Sequence, residues 1–274
     1  MINSLFLLIK FIILGVIQGF TEPLPISSSG HLVLLRHFFN VETYGLTFEI
    51  IVHFGSLLAV IMVYRRDLIT LVKESFLYLQ KRENKYATSF RFSSYLLLAT
   101  LMTGVLGLLL ENFISDTLSK VLYIGIAFLI TSFFIWLIQH QHGHKTAIDM
   151  KWTDAVIIGL CQTLALIPGI SRSGTTIVAG MLLGLNRETT LRFSFLLFIP
   201  VGFGINIMSI KDVYFAVSAE QMWIPYMIAF LAAMIATYYA LKAFIHIMMR
   251  GKLVLFSTYC FVIGLFIILS QIWG

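Results

Sequence analysis

Six apolar stretches, roughly residues 45–64, 91–110, 119–139, 192–209, 222–243 and 252–273, are each about long enough to cross a bilayer as a helix. A chain of 274 residues cannot hide six such stretches in a soluble core. Its composition agrees, with 59% hydrophobic and only 12% charged residues, where an ordinary globular protein has about 25% charged. The mean hydropathy is +0.92. The sequence therefore predicts an all-α polytopic membrane protein, and it excludes a disordered chain, a disulfide scaffold and a peripheral membrane protein.

The net charge of +6 is no nucleic-acid signal, because the basic residues sit in short connections between apolar runs. Cys161 and Cys260 lie inside apolar segments without metal-ligand spacing and read as small packed side chains. The N-terminal run MINSLFLLIKFIILGVIQGF lacks a basic n-region and a cleavage site, so it is expected to stay in the mature protein.

Two more apolar runs are broken. Residues 4–22 and 153–167 each enter a Pro/Gly/Ser-rich interruption, and a second short apolar piece follows at 31–40 and 175–185. One such interruption in each half points to paired discontinuous helices around a site near the membrane midplane. The interruptions align at a constant offset of 144, placing GVIQGFTEPLPISSSGHL (15–32) over GLCQTLALIPGISRSGTT (159–176). The identities are Gly15/Gly159, Gln18/Gln162, Ile26/Ile170, Ser27/Ser171, Ser29/Ser173 and Gly30/Gly174. Most are polar or glycine positions, which hydrophobicity alone would not match. The chain thus reads as one membrane domain, 1–274, built by internal duplication, with repeats of about 1–110 and 119–274.

Charge orients it. Fourteen of the nineteen basic residues fall on one face: seven in the 65–91 connection, then Lys145, Lys151, Arg187, Arg192, Lys242, Arg250 and Lys252. Lys10, Arg36, Lys120 and Lys211 fall on the other, and Arg172 lies inside the second interruption. The richer face is cytoplasmic by the positive-inside rule. The count closes only if both broken segments are re-entrant, giving six transmembrane helices, repeats of opposite topology and both termini outside. A cysteine placed at Asn84 is then expected to react with an impermeant reagent only from the cytoplasmic side. Reaction only from outside would overturn this topology.

The interruptions carry the chemistry. Gln18 and Glu22 share a helix face at i, i+4. Pro23 and Pro25 stop that helix, and Ser27-Ser28-Ser29-Gly30-His31 opens another with serine at its start. In the second half Pro168-Gly169 stops a helix, and Ser171-Arg172-Ser173-Gly174 opens the next, followed by Thr175 and Thr176. Each helix start offers unpaired backbone N–H groups to an anion, making Ser27, Ser29, Gly30, Ser171, Ser173, Gly174 and Thr176 candidate substrate contacts. Arg172 in a membrane interior costs about 2.5–3.5 kcal/mol even on lenient scales. It persists where it meets a partner, a ligand or a water-filled cavity. Guanidinium, hydroxyls, imidazole and a carboxylate together suit phosphoryl chemistry. Glu49 and His53, also i, i+4, could complete the site, whereas His140, His142 and His144 read as a solvated loop.

At these residues the chain resembles the undecaprenyl-pyrophosphate phosphatase family, the bacitracin-resistance proteins of bacterial inner membranes. The resemblance spans essentially the whole chain. It rests on the Gln18/Glu22 helix, Pro25 to His31, Pro168 to Gly174 and the FSFLL..P run at 193–200. It implies hydrolysis of undecaprenyl pyrophosphate to undecaprenyl phosphate and phosphate, which recycles a lipid carrier for peptidoglycan and other envelope polymers. It further implies a polyprenyl pyrophosphate substrate among membrane lipids, a site open to the outer face and a divalent cation, Mg or Ca. It makes Glu22 catalytic, Ser28 or His31 the nucleophile, and Arg172 with Ser171, Ser173 and Thr176 the pyrophosphate binders. Glu22, with Gln18 where many members carry Glu, is the candidate metal position. Two other classes compete. A lipid-phosphate flippase or anion carrier also uses inverted repeats with broken helices, and a scaffold would leave Arg172 unexplained.

Overall fold

The computed structural model describes residues 2–39, 45–117, 121–220 and 222–273, with backbone only for 2–5, 36–39, 45–46, 111–117, 212, 216–220 and 272–273. Lys120 and the Arg36 side chain, counted above on the outer face, lie outside the described residues. The described chain forms ten α-helices: α1 (Ile2–Thr21), α2 (Ser28–Phe39), α3 (Gly45–Lys81), α4 (Ala87–Thr117), α5 (Val121–Ile138), α6 (Trp152–Leu164), α7 (Arg172–Leu182), α8 (Arg187–Glu220), α9 (Trp223–Met249) and α10 (Val254–Trp273). Six of them, α3, α4, α5, α8, α9 and α10, are long and apolar enough to cross a membrane. The two shorter pairs, α1–α2 and α6–α7, carry the interruptions.

Polarity is turned inside out, as lipid demands. Leu109 and Ile224 are 72% and 69% exposed, while Gln18 and Glu22 are 2% and 7% exposed. The 65–91 connection is a helical hairpin, with α3 running on to Lys81, a single 3-10 turn at Asn84–Tyr86, and α4 starting at Ala87. No Gly or Pro occurs from 57 to 86, so nothing stops the helix where its apolar stretch ends. At 37 residues, α3 is about 55 Å long against a hydrocarbon thickness of about 30 Å. Similarly α8 extends from Arg187 to Glu220, well past 192–209, and Pro200 sits inside it.

Close packing joins helices of the two halves. Gly15 and Gly19 bring α1 against the α9 backbone, where a Cβ would lie 2.4 Å from the Ala229 carbonyl oxygen and 2.2 Å from that of Ala233. In the other half Gly159 brings α6 against α4, a Cβ there lying 2.7 Å from the Ala99 oxygen. Small residues at membrane interfaces allow this approach. Helices α3 and α8 run antiparallel, marked by Asp67–Arg192 at 3.0 Å, stacked Tyr64 and Phe195 at 5.9 Å, and Leu57 against Gly202. Helices α5 and α10 exchange reciprocal hydrogen bonds, Ser132 Oγ to Ser257 O at 2.8 Å and Ser257 Oγ to Ser132 O at 2.9 Å. The interruptions are enclosed by this frame.

Candidate active site

Both interruptions end in the same cap. Ser27 precedes α2 and its Oγ accepts from Gly30 N–H at 3.3 Å; Ser171 precedes α7 and its Oγ accepts from Gly174 N–H at 3.1 Å. These are aligned pairs in the duplication. The glycines make room: a Cβ at Gly30 would press the Phe128 ring at 2.5 Å, and one at Gly174 would sit 3.0 Å from Ser171 Cβ. The caps do not use the N–H groups of Ser28 and Ser29, or of Arg172 and Ser173, in the first helical turns.

The two starts differ in one respect. Ser171 is extended, with φ −76°, whereas Ser27 is left-handed, with φ 63°. A non-glycine residue there costs about 1–2 kcal/mol. The Ser27 carbonyl is held by His31, through Nδ1 at 2.7 Å and the backbone N–H at 3.3 Å. A carbonyl only accepts, so Nδ1 carries the proton, and in the neutral ring Nε2 accepts from the Tyr259 hydroxyl at 2.6 Å. The Tyr259 ring also stacks on His31, with centroids 5.7 Å apart. His31 thus braces the strained turn, with both ring nitrogens engaged.

Glu22 is the hub. Its Oε2 accepts from Ser28 Oγ at 2.6 Å and from Gln18 Nε2 at 2.7 Å. Its Oε1 accepts a hydrogen bond from the Arg172 guanidinium, and His53 Nε2 lies 3.5 Å from the same oxygen. The two interruptions therefore meet, as the alignment predicted. Of the two candidate nucleophiles, the Ser28 hydroxyl is held by Glu22 and the His31 ring by Ser27 and Tyr259. Ser28, the first residue of α2, thus donates back to the end of α1, directly after the left-handed Ser27.

The Arg172 guanidinium lies over the Phe198 ring, 3.5 Å from its centroid, and His53 meets the same ring edge-on at 4.8 Å. The hydroxyls around it lock the second interruption in place. Ser173 Oγ donates to Leu24 O at 2.9 Å across the interface, Thr176 Oγ1 pairs with Ser194 Oγ at 2.5 Å, and Ser171 N–H reaches Thr131 Oγ1 at 3.4 Å. Ser27 and Ser29 hydroxyls lie 3.4 Å apart. Of the pair at the start of α3, His53 joins the site and half-buried Glu49 lies one turn earlier. His140, His142 and His144 stand exposed between α5 and α6. Cys260 is buried and its thiol faces the Pro25 carbonyl at 3.7 Å, while Cys161 is only half-buried.

The site occurs once. In the second half Leu166 aligns with Glu22, and Gln162 turns to α4 instead, donating to Thr103 Oγ1 at 3.0 Å. The acid of the first half and the arginine of the second make one ion pair.

Among the described residues no three His, Cys, Asp or Glu side chains cluster as a metal cage. Two oxygen-bearing side chains are nonetheless neighbours: the Glu22 carboxylate and Gln18, whose Nε2 donates to it at 2.7 Å and whose Oε1 is buried without a hydrogen-bond partner. That donor set fits a Mg²⁺-type ion that completes its shell with water and substrate phosphate oxygens. It does not fit an ion held by protein alone.

Ser194 and Phe198 lie in the 193–200 run, but neither they nor Thr131 and Tyr259 carry a sequence signal of contact with the interruptions. The family models and relatives agree with the motifs. A model described as bacitracin resistance protein BacA matches residues 11–266. Undecaprenyl-diphosphatase 1 of Halalkalibacterium halodurans is 49% identical over 266 residues, covering 97% of each chain. Undecaprenyl-diphosphatase 2 of Bacillus thuringiensis is 46% identical over 262 residues, covering 96% of this chain and 97% of that one. Undecaprenyl-diphosphatase of Oceanobacillus iheyensis is 43% identical over 264 residues, covering 96% of each. The chain, a multi-pass membrane protein with its acid and its arginine on opposite halves, belongs to the bacitracin resistance protein BacA family.

Proposed function

We propose that the protein hydrolyses undecaprenyl pyrophosphate to undecaprenyl phosphate and inorganic phosphate, recycling the lipid carrier for envelope polymers and so conferring bacitracin resistance. Family membership supports the reaction, and one observation carries the mechanism: Ser28 Oγ donates to a carboxylate that is also paired with a half-buried arginine. Ser28 Oγ attacks the terminal phosphorus as Glu22 takes its proton. The new O–P bond forms, the bond to the bridging oxygen breaks, and undecaprenyl phosphate leaves. Glu22 gives that proton up to the departing undecaprenyl phosphate; water then attacks the phosphoserine, Glu22 taking its proton and returning it to Ser28 Oγ as the Oγ–P bond breaks and phosphate departs. Arg172 and the first-turn N–H groups of α2 and α7 hold the non-bridging oxygens. A divalent cation at Glu22 and Gln18 would neutralise phosphate charge. Ser27, Ser171, Ser173 and Thr176 keep the two helix starts in register.

The substrate's lipid nature and the charge count support a bacterial inner membrane, both termini outside and a site open to the outer face. The cross-packing of α1 on α9 and α6 on α4 supports one membrane domain built by duplication, with repeats of about 1–110 and 119–274.

The test is phosphate release from undecaprenyl pyrophosphate by the purified protein in detergent, where transport cannot occur. Release is expected, and Glu22→Gln is expected to lower kcat by about 10²–10³. A wild-type protein that releases none would favour the flippase or anion-carrier reading. An undiminished Glu22→Gln would remove Glu22 from the chemistry.

A further inference from the structure

His53 takes no part in the steps above, yet it stands against the base. It lies on α3, with Nε2 3.5 Å from Glu22 Oε1, the oxygen that also accepts from the Arg172 guanidinium. That gap is about 0.5 Å beyond a normal N–H···O bond. The nitrogen faces a group that only accepts, so it carries the ring proton. The Phe198 ring packs against both cationic neighbours of Glu22. Its face lies 3.5 Å from the Arg172 guanidinium, and His53 meets it at 4.8 Å with the planes at 90°.

The two oxygens of Glu22 have different partners. Oε2 has Ser28 Oγ at 2.6 Å and Gln18 Nε2 at 2.7 Å, both from the first half. Oε1 has Arg172 and, farther off, His53. Arg172 is needed twice, because it is also the group that clamps phosphate oxygens. A guanidinium binds phosphate through paired, parallel N–H groups, whereas Glu22 holds it through one oxygen. An arriving pyrophosphate therefore draws Arg172 away from Oε1. The Glu22 side chain is 5% exposed, so little water is at hand to replace the lost donor. A carboxylate held on one side only is free to turn, and turning carries Oε2 off Ser28.

We infer that His53 is a positioning residue that takes over Oε1 as Arg172 passes to the phosphate, keeping Oε2 aimed at Ser28 through the attack. This rests on the phosphatase reading above. The arginine can then serve the substrate without disarming the base. His53 donates as a neutral ring, so no proton is transferred when the partners change.

Steady-state phosphate release from undecaprenyl pyrophosphate in detergent separates this role from packing. His53→Leu keeps an apolar body against Phe198 but has no donor. Its kcat is expected to fall by about 10–100-fold, as is typical when a group that orients a metal-ligating side chain is removed. Its KM is expected to stay within about threefold of wild type, since the lost contact acts in the attack and not in binding. His53→Gln brings an amide N–H within reach of Oε1, and its kcat is expected within about threefold of wild type. A second arm needs no turnover. In wild-type protein carrying nitrogen-labelled histidine, the Nε2 proton of His53 is assigned by its absence in His53→Gln. It is expected to move downfield when farnesyl methylenediphosphonate is added, as the bond to Oε1 shortens. A His53→Leu protein with wild-type kcat, a His53→Gln protein as slow as His53→Leu, or a proton that does not move downfield would each overturn the proposal. A wild type that releases no phosphate would instead defeat the phosphatase reading, while the proton would still judge the change of partner.

Discussion

Arg172→Ala is expected to lower kcat/KM for phosphate release by about 10³–10⁵, the range seen when an arginine is removed from phosphoryl-transfer sites. Three functions fall together. The guanidinium fork no longer binds non-bridging oxygens, Glu22 loses its cationic partner, and the Phe198 ring loses the cation above it. Arg172→Lys separates charge from geometry. A point charge keeps part of the attraction but loses the fork that matches phosphate oxygens, so an intermediate defect is expected. The readout is steady-state turnover in detergent, with helical content and thermal unfolding followed alongside. An Arg172→Ala protein that stays folded and turns over within tenfold of wild type would remove the arginine from the reaction.

Much of the site was legible because its polar residues stand in an apolar background. Ser27, Gly30, Ser171 and Gly174 matched at one offset, and the structure makes each pair the same cap. The meeting of the two interruptions followed from the same alignment. What could not be read was which side chain of the first interruption faces which of the second. Glu22 and Arg172 are 150 residues apart, and their contact depends on how α1 and α6 pack against α9 and α4. The partner of Ser28 was hidden for a local reason. Serine gives no sign of a left-handed φ, yet Ser27 adopts one directly before Ser28, whose hydroxyl donates to Glu22.

The supporting residues were hidden differently. Phe198 is one of 24 phenylalanines, and nothing marks it as the ring beneath Arg172. Tyr259 likewise lies in an apolar span far from the motifs. His53 did leave a trace, as a polar residue one turn after Glu49. The helical extension of α3 was obscured by charge: Arg65, Arg66 and Lys73 mark the end of the apolar run but do not end the helix.

Ser28→Ala bears on the centre of the account, the assignment of attack to the hydroxyl that Glu22 holds. Loss of a nucleophile removes the covalent route altogether, leaving only binding and charge stabilisation by Arg172 and the helix starts. The bracing residue should behave otherwise. His31→Ala frees the Ser27 carbonyl and loosens the turn, but leaves the hydroxyl and its base in place. The direct measurement is inorganic phosphate release from undecaprenyl pyrophosphate by purified Ser28→Ala and His31→Ala proteins in detergent, both checked for folding. The account predicts that Ser28→Ala loses at least about 10³-fold in kcat, while His31→Ala keeps measurably more activity. Turnover by Ser28→Ala near the wild-type rate, with His31→Ala inactive, would contradict it.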